Sequence, residues 1–163
     1  RINFLKTAII YATTHGTTEK AAKYIAENLP NDEVKLISLK EKGISLIPFE
    51  KVILGASIHL GVVSHDMKQF CKKHLHILQT KELGLFVCGM EPDIDRQNYE
   101  LEMAYPPTLQ TIAKARAFVG GEFLFQKMNF FQRVIIKNII HSDEDVTHIH
   151  YDVLDHFIVQ MKS

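Results

Sequence analysis

Two hydrophobic periodicities alternate along the chain, and the first is typical of strands. Continuous apolar runs at residues 6–12, 51–56 and 83–88 predict strands that are buried on both faces. Residues 33–38 alternate polar and apolar positions like a less buried strand, and residues 118–125 predict a final strand that Gly120 and Gly121 weaken. The pattern therefore predicts five strands.

Helical spacing fills the stretches between these strands. Apolar residues recur every three or four positions over residues 21–29 before Pro30, from Asp66 to Leu78, and over residues 151–161. Strands that alternate with helices need crossover connections, which produce a mostly parallel sheet covered on both faces. The predicted fold is α/β, a three-layer, doubly wound, five-stranded parallel sheet in one domain over residues 1–163.

Composition narrows the function classes. The 163 residues are 46% apolar, and 19 Lys and Arg balance 19 Asp and Glu, so neither disorder nor a general nucleic-acid binder is expected. No apolar run approaches the length of a membrane-spanning helix. Two cysteines and no secretory signal favour a reducing compartment, so the expected location is the cytoplasm.

The loop after the first strand is the first candidate site. In open α/β sheets a ligand lies beyond the carboxyl ends of the strands. This loop combines hydroxyls, backbone N–H groups, a glycine and a helix N-terminus, which together suit a phosphate. The alternative interpretation is that its threonines only cap the helix and shape a turn. The loop residues are Thr13, Thr14, His15, Gly16, Thr17 and Thr18.

The sequence around this loop resembles a known family signature. Residues 9–25, Ile-Ile-Tyr-Ala-Thr-Thr-His-Gly-Thr-Thr-Glu-Lys-Ala-Ala-Lys-Tyr-Ile, are similar to the flavodoxin signature at every position. The resemblance implies a flavodoxin-like sheet in the order 2-1-3-4-5 and FMN as cofactor. It also implies that residues 13–18 hold the 5′-phosphate.

Looser motifs resemble one branch of that family. Residues 52–61, 70–74, 120–121 and 130–137 are similar to the menaquinone-dependent protoporphyrinogen oxidases, which belong to haem biosynthesis. The resemblance implies a flavoprotein oxidoreductase with a tetrapyrrole substrate and a quinone acceptor. The sequence offers no pair of residues that identifies a general base, so no catalytic residue is assigned.

Two further loops are expected to line the flavin ring. The loop after the third strand contributes Ser57, Ile58, His59, Leu60 and Gly61, and the loop after the fourth contributes Cys88, Gly89 and Met90. The chain has no Trp, so Tyr99 and Tyr105 are candidates to stack on the ring. The alternative for both tyrosines is that they are helix residues packed on the sheet. His59 could equally contact the flavin or be an exposed loop residue.

Cysteines and histidines suggest less. Cys71 and Cys88 each fall on an apolar element and are interpreted as small core residues. The histidines and acids of residues 141–150 match no established zinc spacing, so a solvated loop is favoured and no metal site is predicted.

An inserted helical segment is predicted at about residues 126–150. Its apolar positions and the basic residues Arg133 and Lys137 suggest docking on a membrane surface or an apolar substrate, with Phe131 entering the interface. The alternative is a helix that buries its apolar stripe on the domain. Docking would place the protein peripherally at the inner face of the membrane.

Three functions remain open from the sequence. The first is an FMN enzyme that oxidises a tetrapyrrole and reduces a quinone. The second is an electron carrier between redox partner proteins, and the third is a binding module without redox chemistry. Carriers that dock on basic partners need a strongly acidic surface, and the formal net charge of this chain is zero, which favours the enzyme.

Overall fold

The computed structural model describes residues 5–13, 16–59, 62–123 and 146–162. Its strands are β1 (Leu5–Ala12), β2 (Asp32–Ser38), β3 (Lys51–His59), β4 (Val62–Val63), β5 (Glu82–Cys88), β6 (Ala115–Phe118), β7 (Gly120–Phe123) and β8 (Val146–Ile149). Its helices are α1 (Thr17–Glu27), α2 (His65–Lys73), α3 (Leu75–Leu78), α4 (Ile94–Ala104), α5 (Pro107–Ile112) and α6 (Tyr151–Lys162).

Short polar side chains start two of these helices. The Ser64 hydroxyl accepts a hydrogen bond from the N–H of Met67 at the start of α2, at 3.4 Å. The Asp93 carboxylate accepts one from the N–H of Arg96 at the start of α4, at 3.1 Å. These bonds satisfy backbone donors that lack a partner within the helix, so both starts are encoded locally.

The main sheet has the predicted topology. Strands β2, β1, β3, β5 and β6 pair in parallel in that order, which is 2-1-3-4-5 when the parallel strands alone are counted. The short strand β4 pairs antiparallel with β3. The chain reverses its direction of travel across the sheet between β1 and β3, so the crevice at the carboxyl ends of these two strands is the expected ligand position.

Both faces of the sheet are covered, because alternate residues of each central strand point to opposite sides. Ala8 and Ile10 of β1 belong to one core with residues of α2, α3, α4 and α5, whereas Ile9 belongs to a second core with residues of α1 and α6. All three side chains are fully buried. The continuous apolar run in β1 thus reflects a strand between two helical layers.

The predicted position of the last sheet strand is wrong. The sheet strand is Ala115–Phe118, and residues 120–123 leave the sheet to pair antiparallel with β8 in a separate two-stranded ribbon. Gly120 adopts a left-handed φ of 78°, which turns the chain out of the sheet at the glycine pair. Residues 146–149, at the end of the predicted helical segment, form a strand, and residues 124–145 lie outside the described residues.

A buried ion pair ties the amino edge of the sheet together. Lys51 starts β3 with only 1% of its surface exposed, and its Nζ lies 3.0 Å from Asp32 Oδ2 of β2. Nζ also donates to the carbonyl oxygen of Met161 near the end of α6, at 2.7 Å. The Thr7 hydroxyl of β1 donates to the same Asp32 oxygen at 2.7 Å. One ammonium group therefore links three strands and the last helix.

Replacing this lysine should destabilise the domain strongly. Lys51→Met leaves the Asp32 carboxylate buried without its cation, which costs about 3–5 kcal/mol in the free energy of unfolding. Lys72→Met, at an exposed lysine of α2, serves as the matched control and should change it by less than about 0.5 kcal/mol. Urea denaturation measures both, and equal losses in the two variants would contradict the assigned role of Lys51.

Candidate functional site

The three predicted ligand loops begin at neighbouring positions on one edge of the sheet. Ala12 at the end of β1 lies opposite Ala56 of β3, and Ser57 lies opposite Cys88 at the end of β5. The register therefore brings residues from distant parts of the sequence to the same carboxyl edge. This is the edge at which parallel α/β sheets bind their ligands.

The first loop is organised around Thr13 and Gly16. The Thr13 Oγ1 accepts a hydrogen bond from the N–H of Gly16 at 2.9 Å, so this hydroxyl shapes the loop. Gly16 has a φ of 92° and stands at the N-cap of α1, where it has no side chain to occupy the helix N-terminus. The N–H groups of the first turn of α1 consequently face the loop without a side-chain cap, a standard environment for an anion.

Two threonines continue the loop into the helix and are both buried. Thr17 is 8% exposed and Thr18 is fully buried. The Thr18 Oγ1 has no hydrogen-bond partner among the described residues. A buried hydroxyl without a partner costs about 1–3 kcal/mol, so such a group calls for an explanation. A bound anion at the helix N-terminus would supply the missing acceptor.

The second predicted loop is mostly strand. β3 continues through His59 and forms a hairpin with β4, in which Ile58 lies opposite Val63 and His59 opposite Val62. Ser57 and Ile58 are buried, at 8% and 6% exposed, and Ile58 belongs to the core. The expectation of a loop from residue 57 is therefore wrong, because pairing with β5 and β4 extends the strand by three residues beyond its predicted end.

The third loop follows β5 and is in direct contact with the ribbon. Cys88 is 3% exposed, and Met90 is half-buried. The N–H of Gly89 donates to the carbonyl oxygen of Gly120 at 2.9 Å. This backbone donor is therefore used within the protein and is not available to a ligand.

The two candidate stacking tyrosines have different environments. Tyr105 is 3% exposed, and its Oη lies 2.7 Å from the carbonyl oxygen of Phe86 and 3.1 Å from that of Leu54. Burial raises the pKa of its phenol well above the usual value. Tyr105 is therefore packed on the sheet and cannot stack on a ligand. Tyr99 of α4 is 63% exposed, so the packed alternative is wrong for this residue.

No pattern in the sequence identifies Glu100, an acidic residue whose carboxyl group interacts with Glu91 directly after the third loop. The Glu100 Oε2 on α4 is buried and has no hydrogen-bond partner among the described residues. Burial raises the pKa of Glu100, the negative charge of Glu91 raises it further, and Arg96 acts in the opposite direction. Glu91 follows Met90 directly, but it is nine positions from Glu100 in the sequence, so no local motif could reveal this pair.

The structure describes some of the remaining candidate residues and not others. Cys71 and Cys88 are buried thiols, as predicted, and burial raises the pKa of Cys71 to about 12. Within the described ranges, no group of three His, Cys, Asp or Glu side chains could hold a metal ion, and no helix is long and apolar enough to cross a membrane. The predicted site residues outside the described ones are Thr14, His15, Leu60, Gly61, Phe131, Arg133 and Lys137.

Comparison with known proteins identifies the family. A model of the flavodoxin domain matches residues 8–149, a range that includes most of the sheet, the loop after β1 and the ribbon. The chain belongs to the flavodoxin domain family.

One curated relative and two solved structures give further detail. The protoporphyrinogen IX dehydrogenase [quinone] of Leishmania major is 28% identical over 144 residues, and the match spans 83% of this chain but only 62% of that protein. Flavodoxin 2 of Bacillus cereus shares the fold with a TM-score of 0.50 and 23% identity, over 71% of this chain and 81% of the other. The flavodoxin of Fusobacterium nucleatum, whose structure contains flavin mononucleotide, has a TM-score of 0.43 and 21% identity, over 63% and 67% of the two chains.

The raised pKa of Glu100 should make stability depend on pH. Because the folded carboxyl holds its proton above the ordinary pKa of 4.5, its contribution is complete below that pH and is lost as pH rises through the folded pKa. Glu100→Gln should therefore be more stable than wild type at about pH 7 and equal to it at about pH 4. Urea denaturation at several pH values tests this expectation. Asn98→Gln, at an exposed position of the same helix, should leave the pH dependence as it is in wild type.

Proposed function

We propose that the protein binds FMN at the carboxyl edge of its sheet, with the phosphate held between Thr13 and the first turn of α1. The observation that carries the proposal is the buried hydroxyl of Thr18, which has no partner among the described residues and lies beside a helix N-terminus that none of their side chains caps. Membership of the flavodoxin domain family supports FMN as the ligand. The Thr13 hydroxyl accepts from Gly16, so its own hydrogen remains available for a phosphate oxygen.

The flavin ring in this proposal lies between the β3–β4 hairpin and the loop after β5. Residues 57–61 border it on one side and residues 88–90 on the other. Because the side chains of Ser57, Ile58 and Cys88 are buried, these residues contribute mainly backbone and shape, and Met90 offers a side chain to the ring. Bound FMN supplies the electron-transfer chemistry, while the protein positions it and controls access to it.

The finer proposal is a quinone-dependent oxidoreductase acting on a protoporphyrinogen-like tetrapyrrole. Two observations support it, namely the curated relative from Leishmania major and the balanced charge of the chain. The protein's part in the reaction is to bind the substrate beside the ring and to exclude water from it. Glu100 is a candidate for exchanging a proton near the site, because its carboxyl is partly buried and has a raised pKa.

A carrier of electrons between proteins is the second candidate, and the surface of α4 favours it. Three large apolar side chains of this helix, Ile94, Tyr99 and Met103, are 68%, 63% and 56% exposed. The segment from Glu91 to Ala104 also carries five acidic residues against one arginine. Tyr99 and Met103 are one turn apart and share a face of α4, and an exposed apolar pair on an acidic helix suits transient docking on a basic redox partner. A binding module without redox chemistry is the third candidate, and nothing in the described residues specifically favours it.

The docking segment remains a prediction, and its two ends are at the edge of the sheet that holds the site. Phe123 pairs with Val146, so the chain departs and returns at one point of the ribbon. Two residues before Phe123, Gly121 lies against Gly89 of the third loop. We therefore retain the proposal that Phe131, Arg133 and Lys137 contact an apolar substrate or an anionic membrane surface.

Replacing the Thr18 hydroxyl should weaken FMN binding without weakening the fold. Thr18→Val removes one hydrogen bond to the phosphate, worth about 1–3 kcal/mol, which raises the Kd for FMN roughly 5- to 150-fold. The apoprotein should unfold at the same or a higher temperature, because the hydroxyl has no partner among the residues that the structure describes. Fluorescence titration and thermal unfolding provide the two measurements. Thr111→Val, at an exposed threonine of α5, is the matched control, and equal FMN affinity in both variants would contradict the proposed phosphate contact.

A turnover assay separates the enzyme from the carrier. The FMN-loaded protein should oxidise protoporphyrinogen with a quinone as acceptor, measured by the rise of porphyrin fluorescence. The double variant Phe131→Ser/Arg133→Glu should keep FMN but lose most of its turnover and its sedimentation with anionic lipid vesicles. Ready electron exchange with redox proteins and no protoporphyrinogen oxidation would establish the carrier instead.

A further inference from the structure

The point at which the ribbon meets the third loop is packed backbone against backbone. The N–H of Gly89 donates to the carbonyl oxygen of Gly120 at 2.9 Å. A Cβ atom placed on Gly121 would lie 3.0 Å from the carbonyl oxygen, 3.2 Å from the carbonyl carbon and 3.3 Å from the nitrogen of Gly89. These neighbours are main-chain atoms, so an added methyl group cannot be accommodated by rotating a side chain.

Gly89 is confined on its other sides as well. A Cβ atom placed on it would meet the Phe118 ring at 3.0 Å and the Cβ of Ile58 at 3.5 Å. Ile58 belongs to the β3–β4 hairpin, the opposite wall of the proposed flavin site. Gly89, which is part of one wall, therefore packs directly against the other wall and against the ribbon, and a displacement of this residue alters the spacing of the site.

Core packing and two backbone hydrogen bonds hold the ribbon in place. Ile149 of β8 is 9% exposed and packs in the core under α1 and α6. The N–H of His150 donates to the carbonyl oxygen of Val119 at 2.9 Å, and the N–H of Val119 donates to that of Val87 at 2.9 Å. Since these contacts anchor the ribbon to β5 and β6, bulk added at Gly121 pushes on the loop that holds Gly89.

We infer that Gly121 is a positioning residue for the flavin site, because its missing side chain lets the ribbon clamp Gly89 at the distance the ring requires. The inference rests on the proposed FMN function and extends it to a residue outside the three ligand loops. The φ of Gly121 is not in the left-handed region, so Ala can adopt its backbone conformation, and the effect of a substitution comes from the contact alone.

The test compares two Gly→Ala variants of the full chain. Gly121→Ala should raise the Kd for FMN at least about fivefold and shift the visible absorption and midpoint potential of the bound flavin, because small misplacements at a site are costly. It should also speed hydrogen exchange of the Gly89 amide. Gly84→Ala is the control, since its Cβ would press on Phe157 and Met161 of α6 at 2.8 Å, away from the site. This control should lower the melting temperature and leave the spectrum and potential of bound flavin unchanged.

The outcomes separate the two proposals. FMN binding by wild type combined with an unchanged Kd, spectrum and potential in Gly121→Ala would overturn this inference alone. Changes of the same size in Gly84→Ala would also overturn it, since they would reflect lost stability. A wild-type protein that binds no FMN would overturn the proposed function and the flavin role of Gly121 with it.

Discussion

The ammonium group of Lys51 is the contact on which the arrangement of the layers depends. It lies at the amino edge of the sheet, where it joins Asp32 of β2 to the end of α6 and neutralises a carboxylate that also holds Thr7 of β1. A cation near the last carbonyl groups of a helix also interacts favourably with the helix dipole. The carboxyl edge differs, because Thr18 Oγ1 is buried there without a partner among the described residues. Polar groups at the amino edge thus satisfy one another, whereas this hydroxyl has no hydrogen-bond acceptor within the described part of the protein.

Much of the fold can be predicted from the sequence, for reasons visible in single strands. β1 reads as a continuous apolar run because helices cover both of its faces, and the alternation between strands and helices then requires parallel pairing. The last sheet strand was misplaced because β6 is short and carries Arg116 between two alanines, a weak signal beside the apolar residues that follow Gly121. Gly120 and Gly121 lie beyond the end of the sheet strand at Phe118. Hydrophobic periodicity alone interprets them instead as glycines that weaken the interior of a strand.

The candidate site is predictable where it is local and not where it depends on long-range contacts. Thr13, Gly16 and Thr18 are found from one short loop, because the spacing of hydroxyls and glycine before a helix carries the chemistry. The contact between Gly89 and Gly121 joins residues that are 32 positions apart, and the proximity of Glu91 to Glu100 depends on how α4 packs. The burial of Tyr105 could not be predicted either, because its position in the sequence fits both a residue that stacks on a ligand and a core residue.

The pairing of Phe123 with Val146 makes the architecture of the domain independent of the length of chain between these two residues. A ribbon that closes on itself lets the chain depart from and return to one point, so neither the strand order nor the helical layers depend on what lies between. The entropy of closing a flexible connection grows slowly, by about 0.6 kcal/mol for each doubling of its length. Insertions of quite different size and sequence can therefore be exchanged between these two residues without rearranging the sheet. Such a fold can acquire a new specificity by replacing one segment while its sheet is conserved.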